Sequence, residues 1–320
     1  MNVKANSFHM EIGGVDLSMN VKETGKIPGI LLQENEPGYQ SFFIKLNKQN
    51  RNPDPGTLTI NISLELASRN MLDIRGLPKL FDSGQSWLMF REGDTYWAVL
   101  HPPAHEKPIW AARFNRDVKE VTVYCSEQFI QKKNGNTIIP NPVRYPLDQL
   151  LIMYILARHR GVVIHAAGIE INGNGFIFAG PSGAGKSTLC RHFILANSSN
   201  SMVFSDDRMI VRNSPEVHDT FRAFGTPWPG ELRITRNQDM PLHAIFFLRH
   251  GSGNKIKQLE PQQALDNLLK VISIPWYDRD VMPEILRFCE DLLTHVPLFE
   301  LHFTPGLEVV NFLETCTRRI

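Results

Sequence analysis

A glycine-rich segment at residues 180–187 carries side chains that suit phosphate chemistry. The segment matches the pattern G-x-x-x-x-G-K-[ST] in full. Its glycines allow a tight turn in which backbone N–H groups point inward and form a nest for phosphate oxygens. Lys186 supplies a positive charge for the β- and γ-phosphates, and the Ser187 hydroxyl suits Mg²⁺. We therefore predict a nucleotide-phosphate site formed by Gly180, Pro181, Ser182, Gly183, Ala184, Gly185, Lys186, Ser187 and Thr188.

The segments on either side of this loop favour a bound phosphate over a glycine-rich turn without a ligand. Residues 176–179 form an apolar run that leads directly into the loop, and residues 189–196 continue with apolar positions at helical spacing. The motif requires this order of strand, loop and helix. A helix that begins near Lys186 would also direct the positive end of its dipole at the phosphates.

An aspartate pair, Asp206 and Asp207, follows a short apolar strand at residues 201–205. Ligands of open α/β sheets bind at the carboxyl ends of the strands, so these carboxylates are expected near the γ-phosphate. One carboxylate could hold Mg²⁺ while the other accepts the proton of an acceptor hydroxyl. The alternative is a solvated pair of aspartates in a turn.

Two further residues are not assigned by their spacing alone. His165 lies in an apolar strand, where a lone histidine is most often a core residue. Glu231 follows a glycine- and proline-containing run at residues 224–230 and would pass for an ordinary surface carboxylate.

The elements that must position these residues form an α/β pattern after residue 147. A strand at 161–171, a turn at 172–175 and a strand at 176–179 predict a hairpin. Apolar positions at helical spacing and further apolar runs complete the pattern. Helices are predicted at 147–159, 189–196, 264–272 and 281–293, and strands at 244–248 and 299–303.

The preceding region predicts a β-rich structure. Its short runs are rich in β-branched and aromatic residues, and turn formers at 51–56 and 92–94 separate them. The runs lie at 41–44, 57–62, 87–90, 96–100 and 121–124. We predict a β-rich accessory or recognition domain at 1–133, a proline-bearing linker at 134–146, and an α/β catalytic domain at 147–320.

The composition narrows the class of partner and the compartment. The chain has 34 basic and 33 acidic residues among 320, a balance that argues against a dedicated binder of nucleic acid or anionic membrane. Its four cysteines are widely spaced, which favours a reduced cytosolic protein over a disulfide framework or a zinc site. The sequence shows neither a signal-peptide pattern nor a run of about 20 apolar residues. We expect a cytoplasmic protein without nucleic-acid or membrane partners, and a homo-oligomer is compatible with the sequence.

Three segments together resemble the catalytic domain of the HPr kinase/phosphorylase family: residues 164–168, 180–187 and 205–208. The resemblance extends over residues 147–248 and implies a fold related to phosphoenolpyruvate carboxykinase. It implies that Asp207 accepts the proton of a serine hydroxyl, and that His165 and Lys186 are further active-site residues. It also implies Mg²⁺ ligands at Ser187 and Glu231, which Asp206 joins as a predicted ligand.

Two departures from that family bear on the substrate. Residues 1–130 do not resemble its usual N-terminal domain, and the carboxyl-terminal signature associated with the phosphorylase reaction and carrier-protein docking is not found. The chain is more similar to divergent HPr kinase-related proteins encoded beside peptide-modification genes, such as kinases of lasso peptides.

The resemblance therefore implies a kinase that uses ATP and Mg²⁺ and transfers the γ-phosphoryl group to a hydroxyl, foremost serine, of a peptide or small protein. A ribosomally made peptide is one such acceptor. The alternatives are a kinase of a small metabolite and a nucleotide-binding regulatory module with slow ATPase activity. A regulatory module would need no base for an alcohol.

Overall fold

The computed structural model describes residues 7–22, 31–32, 38–44, 57–67, 74, 76–133, 136–213, 220–318 and 320. The predicted turn at 51–56 lies outside the described residues. The chain divides into two compact units. The first contains Met1–Ile155 and Trp276–Arg279, and the second contains Leu156–Pro275 and Asp280–Ile320.

The first unit is built mainly from β-strands, as the sequence predicts. Its main sheet has the strand order β4-β1-β2-β5-β10-β9-β8-β7-β6, and a smaller sheet has the order β11-β12-β3. The strands are β1 (Ser7–Ile12), β2 (Val15–Val21), β3 (Leu31–Leu32), β4 (Phe43–Ile44), β5 (Leu58–Leu66), β6 (Lys79–Asp82), β7 (Trp87–Glu92), β8 (Thr95–Leu100), β9 (Trp110–Asn115), β10 (Glu120–Cys125), β11 (Gln131–Lys133) and β12 (Asn136–Ile139).

The residue patterns explain why these strands form. In β1 the side chains of Phe8, Met10 and Ile12 are buried while those between them are partly exposed, which is the period of two expected of a half-buried strand. Four of the five predicted runs lie in β5, β7, β8 and β10. The fifth, 41–44, forms a strand only in its last two residues, because the N–H of Phe42 bonds back to the carbonyl of Tyr39 in a turn.

The predicted linker at 134–146 lies within the first unit. Part of it is β12, which pairs with β11 and β3. The side chains of Ile139 and Val143 are buried, and the carboxamide of Asn141 bonds the N–H and C=O of Val143. This side-chain turn and the two apolar anchors explain how a polar, proline-bearing segment packs into the unit. The boundary between the units falls after Ile155, inside helix α1 (Leu147–Arg158).

The second unit is a mixed α/β structure. Its sheet has the order β14-β13-β16-β17-β18-β21-β19, with β15 and β20 also paired to β13, and β14 also paired to β18. The strands are β13 (Gly161–Ile171), β14 (Asn174–Ala179), β15 (Ser201–Ser205), β16 (Arg208–Asn213), β17 (Phe221–Phe224), β18 (Asp239–His250), β19 (Lys255–Gln258), β20 (Ile272–Ser273) and β21 (Leu298–Phe303). The helices are α2 (Lys186–Ala196), α3 (Pro261–Leu269), α4 (Met282–His295) and α5 (Glu308–Cys316).

Most of the elements predicted from residue 147 onward are present. Strands β13 and β14 form the predicted antiparallel hairpin, and α1, α2 and α4 lie where the apolar spacing places them. The prediction of helix to residue 272 is wrong at its end: α3 stops at Leu269, and Ile272 pairs with Ile164 of β13 instead. At residues 272 and 273 the backbone pairs with β13 and does not continue the helix. No helix in the described part of the chain is long and apolar enough to cross a membrane.

The core around the glycine-rich loop contains stacked aromatic rings. The fully buried Phe246 of β18 stacks on Phe178 of β14 and on Phe299 of β21, with 5.3 Å between ring centroids in each pair. These three strands are parallel neighbours, and their carboxyl ends meet at the loop. The stacked rings therefore stabilise the packing of the strands that position the loop.

Phe246→Ala should lower the free energy of unfolding of the second unit by about 3–5 kcal/mol, because it removes a buried ring and leaves a cavity. Leu195→Ala on α2 is the control, since this side chain is 65% exposed and its loss should cost about 0.5 kcal/mol or less. Urea denaturation with a fluorescence readout measures both. Equal losses in the two variants would contradict this description of the core.

Candidate active site

The glycine-rich loop connects the end of β14 at Ala179 to the start of α2 at Lys186. Gly183 and Gly185 have φ angles of 82° and 100°, in the left-handed region that favours glycine. A Cβ atom on Gly185 would also lie 2.7 Å from the Phe303 ring, so the close approach of β21 requires glycine there. The loop thus lies at the carboxyl ends of the parallel strands β14, β18 and β21.

Lys186 is buried against the loop that precedes it. Its Nζ donates hydrogen bonds to the carbonyl oxygens of Gly180, at 2.8 Å, and Pro181, at 3.1 Å. Burial lowers the pKa of this ammonium group, and the charge of Asp207 acts in the opposite direction. The carbonyls hold the ammonium group within the loop, with the carboxylate of Asp207 as a nearby opposite charge.

Asp207 contacts the side chains of His165 and Arg208. Its Oδ1 lies 3.1 Å from Nε2 of His165, and its Oδ2 lies 3.4 Å from Nε of Arg208. Burial raises the pKa of Asp207, but the hydrogen bond from His165 and the charges of Arg208 and Lys186 outweigh it, so the net pKa is below the ordinary value. The side chain is therefore an ionised carboxylate at neutral pH.

The strand register brings His165 to Asp207. His165 pairs with Arg208 across the antiparallel strands β13 and β16, and the next residue, Ala166, donates its N–H to the carbonyl of Asp207 at 2.8 Å. The buried hydroxyl of Ser205 accepts the N–H groups of Asp207 and Arg208, both at 3.3 Å. This turn fixes the chain direction directly after β15.

Arg208 is a site residue that the sequence reasoning did not single out. Besides its contact with Asp207, its Nη1 donates to the Ser273 hydroxyl at 2.9 Å, and its carbonyl accepts from the Thr226 hydroxyl at 2.8 Å. Its position directly after the aspartate pair was the available signal. The structure thus adds a fixed cation beside the carboxylate.

Asp206 points to a different set of partners from Asp207. Its side chain is 1% exposed, and its two oxygens accept the N–H groups of Gly230 at 3.0 Å and Leu232 at 2.7 Å. A Cβ on Gly230 would lie 2.7 Å from Oδ2 of Asp206, so glycine permits this close approach. The carboxylate therefore binds the backbone on both sides of Glu231 and holds this segment next to the end of β15.

Glu231 itself faces solvent. Its side chain is 71% exposed and pairs with Arg191 of α2 at 3.0 Å. Asp206 and Glu231 thus have separate partners: the backbone of residues 230 and 232 for Asp206, and Arg191 for Glu231. The role of Ser187, Asp206 and Glu231 in binding Mg²⁺ stays a prediction. Likewise, no group of three or more histidine, cysteine, aspartate or glutamate side chains in the described residues could hold a metal ion.

The donors present suit a lightly held Mg²⁺ ion. Mg²⁺ is usually bound by one or two carboxylates together with substrate phosphates and several waters, rather than by a cage of protein ligands. The Ser187 hydroxyl at the start of α2 and the aspartate pair after β15 provide oxygen donors of the right kind. The glycines at positive φ in the loop, and the Lys186 ammonium group that bonds the loop carbonyls, likewise suit a bound nucleotide phosphate.

His250 is a second residue that the sequence reasoning missed. It ends β18, and its Nε2 donates a hydrogen bond to the carbonyl of Gly183 in the loop at 3.1 Å. The carbonyl can only accept, so this nitrogen carries a proton. The sequence shows a histidine at the end of an apolar run, but it does not show that this strand lies parallel to β14 and ends beside the loop.

One family model matches part of the chain. The family is described as SynChlorMet cassette protein ScmC, and the match covers residues 147–282, which is under half of the chain and includes the loop, His165 and Asp207. A solved structure of the HPr(Ser) kinase/phosphatase from Coxiella burnetii is similar at 12% sequence identity and a TM-score of 0.29, over 49% of this chain and 94% of that one. No curated protein matches the chain.

Asp206→Asn should lower the free energy of unfolding by about 1–3 kcal/mol, because the amide nitrogen cannot accept a hydrogen bond and one buried N–H loses its acceptor. Glu231→Gln is the control from the segment that Asp206 holds, and loss of its exposed ion pair should cost about 0–1 kcal/mol. Denaturant unfolding without nucleotide measures both variants. An Asp206→Asn variant as stable as the parent would contradict the structural role given to this carboxylate.

Proposed function

We propose that the chain is an ATP-dependent phosphotransferase that transfers the γ-phosphoryl group to a hydroxyl, foremost that of serine, on a peptide or small protein. The observation that carries this proposal is the position of Asp207. Its ionised carboxylate is held by His165 and Arg208 and interacts electrostatically with Lys186 of the loop. The proposed acceptor-activating group and the proposed phosphate-binding group thus interact electrostatically.

Phosphoryl transfer makes limited demands on a base. The transition state is loose, so the protein contributes mainly by positioning the acceptor and by stabilising charge on the transferred group. An ionised Asp207 can accept a hydrogen bond from the acceptor hydroxyl, orient its oxygen and take its proton as the new bond forms. His165 and Arg208 hold the carboxylate in place.

ATP and Mg²⁺ are the cofactors in this proposal. The loop residues 180–188 bind the nucleotide phosphates through backbone N–H groups and the Lys186 ammonium group. Ser187, Asp206 and Glu231 are proposed to hold Mg²⁺ directly or through water. When bound, the metal ion neutralises charge on the phosphate oxygens.

Two considerations favour a macromolecular acceptor. Asp207 and His165 are each 28% exposed, so a hydroxyl carried on a peptide can approach them from solvent. The resemblance of residues 164–168, 180–187 and 205–208 to protein kinases of the HPr type supports the same choice. A small-metabolite kinase would use the same residues, and a nucleotide switch would not need Asp207 as a base.

Asp207→Asn should leave ATP affinity close to that of the parent while phosphoryl transfer falls by roughly 10²-fold or more, the usual contribution of a positioned base. The amide has the same shape but cannot accept the hydroxyl proton. Transfer is measured with labelled ATP on a library of serine-containing peptides, with a set of small hydroxyl metabolites in parallel. ATP affinity is measured by calorimetry.

Lys186→Ala is the comparison for that experiment, because it should weaken ATP binding as well as transfer. Normal transfer by Asp207→Asn would contradict the proposed mechanism. Transfer to metabolites alone would contradict the peptide acceptor, and slow ATP hydrolysis that is unchanged in Asp207→Asn, without transfer to either set, would indicate a nucleotide switch.

The pH dependence of kcat/KM should reflect the lowered pKa of Asp207. The active carboxylate form is retained as the pH falls and is lost only through that lowered pKa. His165→Ala removes the largest of the interactions that lower the pKa while burial remains, so the acidic limb should move to higher pH. His243→Ala changes an exposed histidine of the same unit and is the control. An unmoved acidic limb in His165→Ala would contradict this assignment.

A further inference from the structure

An open cleft of about 260 Å³ lies in the second unit. It is formed by β19, α3 and β21 and contains none of the residues predicted to bind nucleotide or Mg²⁺. The side chains that matter for its chemistry are those of Lys257, Gln263, Asp266, Asn267, Lys270 and Glu300.

The negative charge of Glu300 in this cleft is already matched. Its Oε2 lies 3.2 Å from Nε of Arg249, and its Oε1 lies 2.5 Å from Nε2 of His302. Burial raises the pKa of Glu300, but the hydrogen bonds from His302 and Arg249 outweigh this effect and bring the net pKa below its ordinary value. The carboxylate therefore stays ionised and paired. It has little remaining capacity to attract a cation.

The donors of the cleft are available for a ligand. Among the described residues, Lys257 and Lys270 have no side-chain hydrogen bond or ion pair. The carboxamide oxygen of Asn267 accepts from Arg249 at 2.9 Å, which leaves its NH₂ group as a donor. Lys257 and Lys270 balance Asp266 and Glu300 among the lining side chains. Because Arg249, beside the lining, pairs with Glu300, the cleft and its immediate surroundings carry one excess positive charge.

We propose that this cleft binds a small anion through a carboxylate or phosphate group, held by Lys257 and Lys270 and by the amide donors beside them. Charge-assisted hydrogen bonds of this kind are the stronger ones in proteins. The cleft volume of about 260 Å³ is just below the range of about 300–1,000 Å³ that is common for ligand sites, so the ligand has few heavy atoms.

Calorimetric titration of the full chain with malate, and separately with inorganic phosphate, tests the site. We expect saturable binding of at least one of them, and the Lys257→Gln/Lys270→Gln double variant should bind it about tenfold or more weakly, which is the loss of about 1.4 kcal/mol. Lys255→Gln lies on the same strand outside the cleft and should bind as the parent does. The two probes distinguish a carboxylate ligand from a phosphate ligand.

The glycine-rich loop is a second place where phosphate could bind, and Lys186→Ala separates the two. Phosphate binding that survives Lys186→Ala and is lost in the double variant supports the cleft. The proposal is overturned if neither probe binds the parent, or if binding is lost only in Lys186→Ala. Malate binding requires no nucleotide, so its failure is distinguishable from failure of the proposed phosphotransferase activity.

Discussion

The candidate active site depends on the pairing of strand β13. The first half of this strand pairs with β16 and β20, and its second half pairs with β14 and β15. Strand β14 leads to the glycine-rich loop, and β15 ends directly before the aspartate pair. Strand β16 begins at Arg208, and β20 contains Ser273. A shift of one residue in the register would turn His165 to the opposite face of the sheet. The backbone bonds from His165 and Ala166 to Val271 and Asp207 hold the register.

The charges of the site then follow from what the register brings together. The carboxylate of Asp207 is partly buried, which alone would favour its protonated form. Contacts with His165 and Arg208 reverse that effect, and the same carboxylate offsets part of the burial of Lys186. The loop lysine and the aspartate thus keep each other charged. Such mutual dependence is common where perturbed groups meet at functional sites, although structural ion pairs show it too.

The sequence was sufficient where the determining interactions are local. The loop, its flanking strand and helix, and the hairpin before it are specified by glycine positions and by apolar spacing within about 35 residues of chain. The different roles of Asp206 and Asp207 could not be read in this way. Asp206 bonds the backbone at Gly230 and Leu232, a segment more than twenty residues away, whose position depends on the whole sheet.

The same reason explains the other differences. His250 reaches the loop only because β18 is parallel to β14, and α3 ends early because Ile272 finds a partner on β13. The linker at 134–146 stays a prediction; within this segment Asn141 supplies a local turn and Val143 is buried. Composition alone does not show which residues of such a segment become buried.

Hydrogen exchange of the full chain, measured by mass spectrometry with and without ATP and Mg²⁺, tests the central claim most directly. Backbone N–H groups that bind phosphate exchange more slowly when the ligand is present. We expect slower exchange in peptides covering residues 180–188 and 205–208, with no change in the β7–β8 hairpin of the first unit. Unchanged exchange at residues 180–188 with saturating ATP would contradict it.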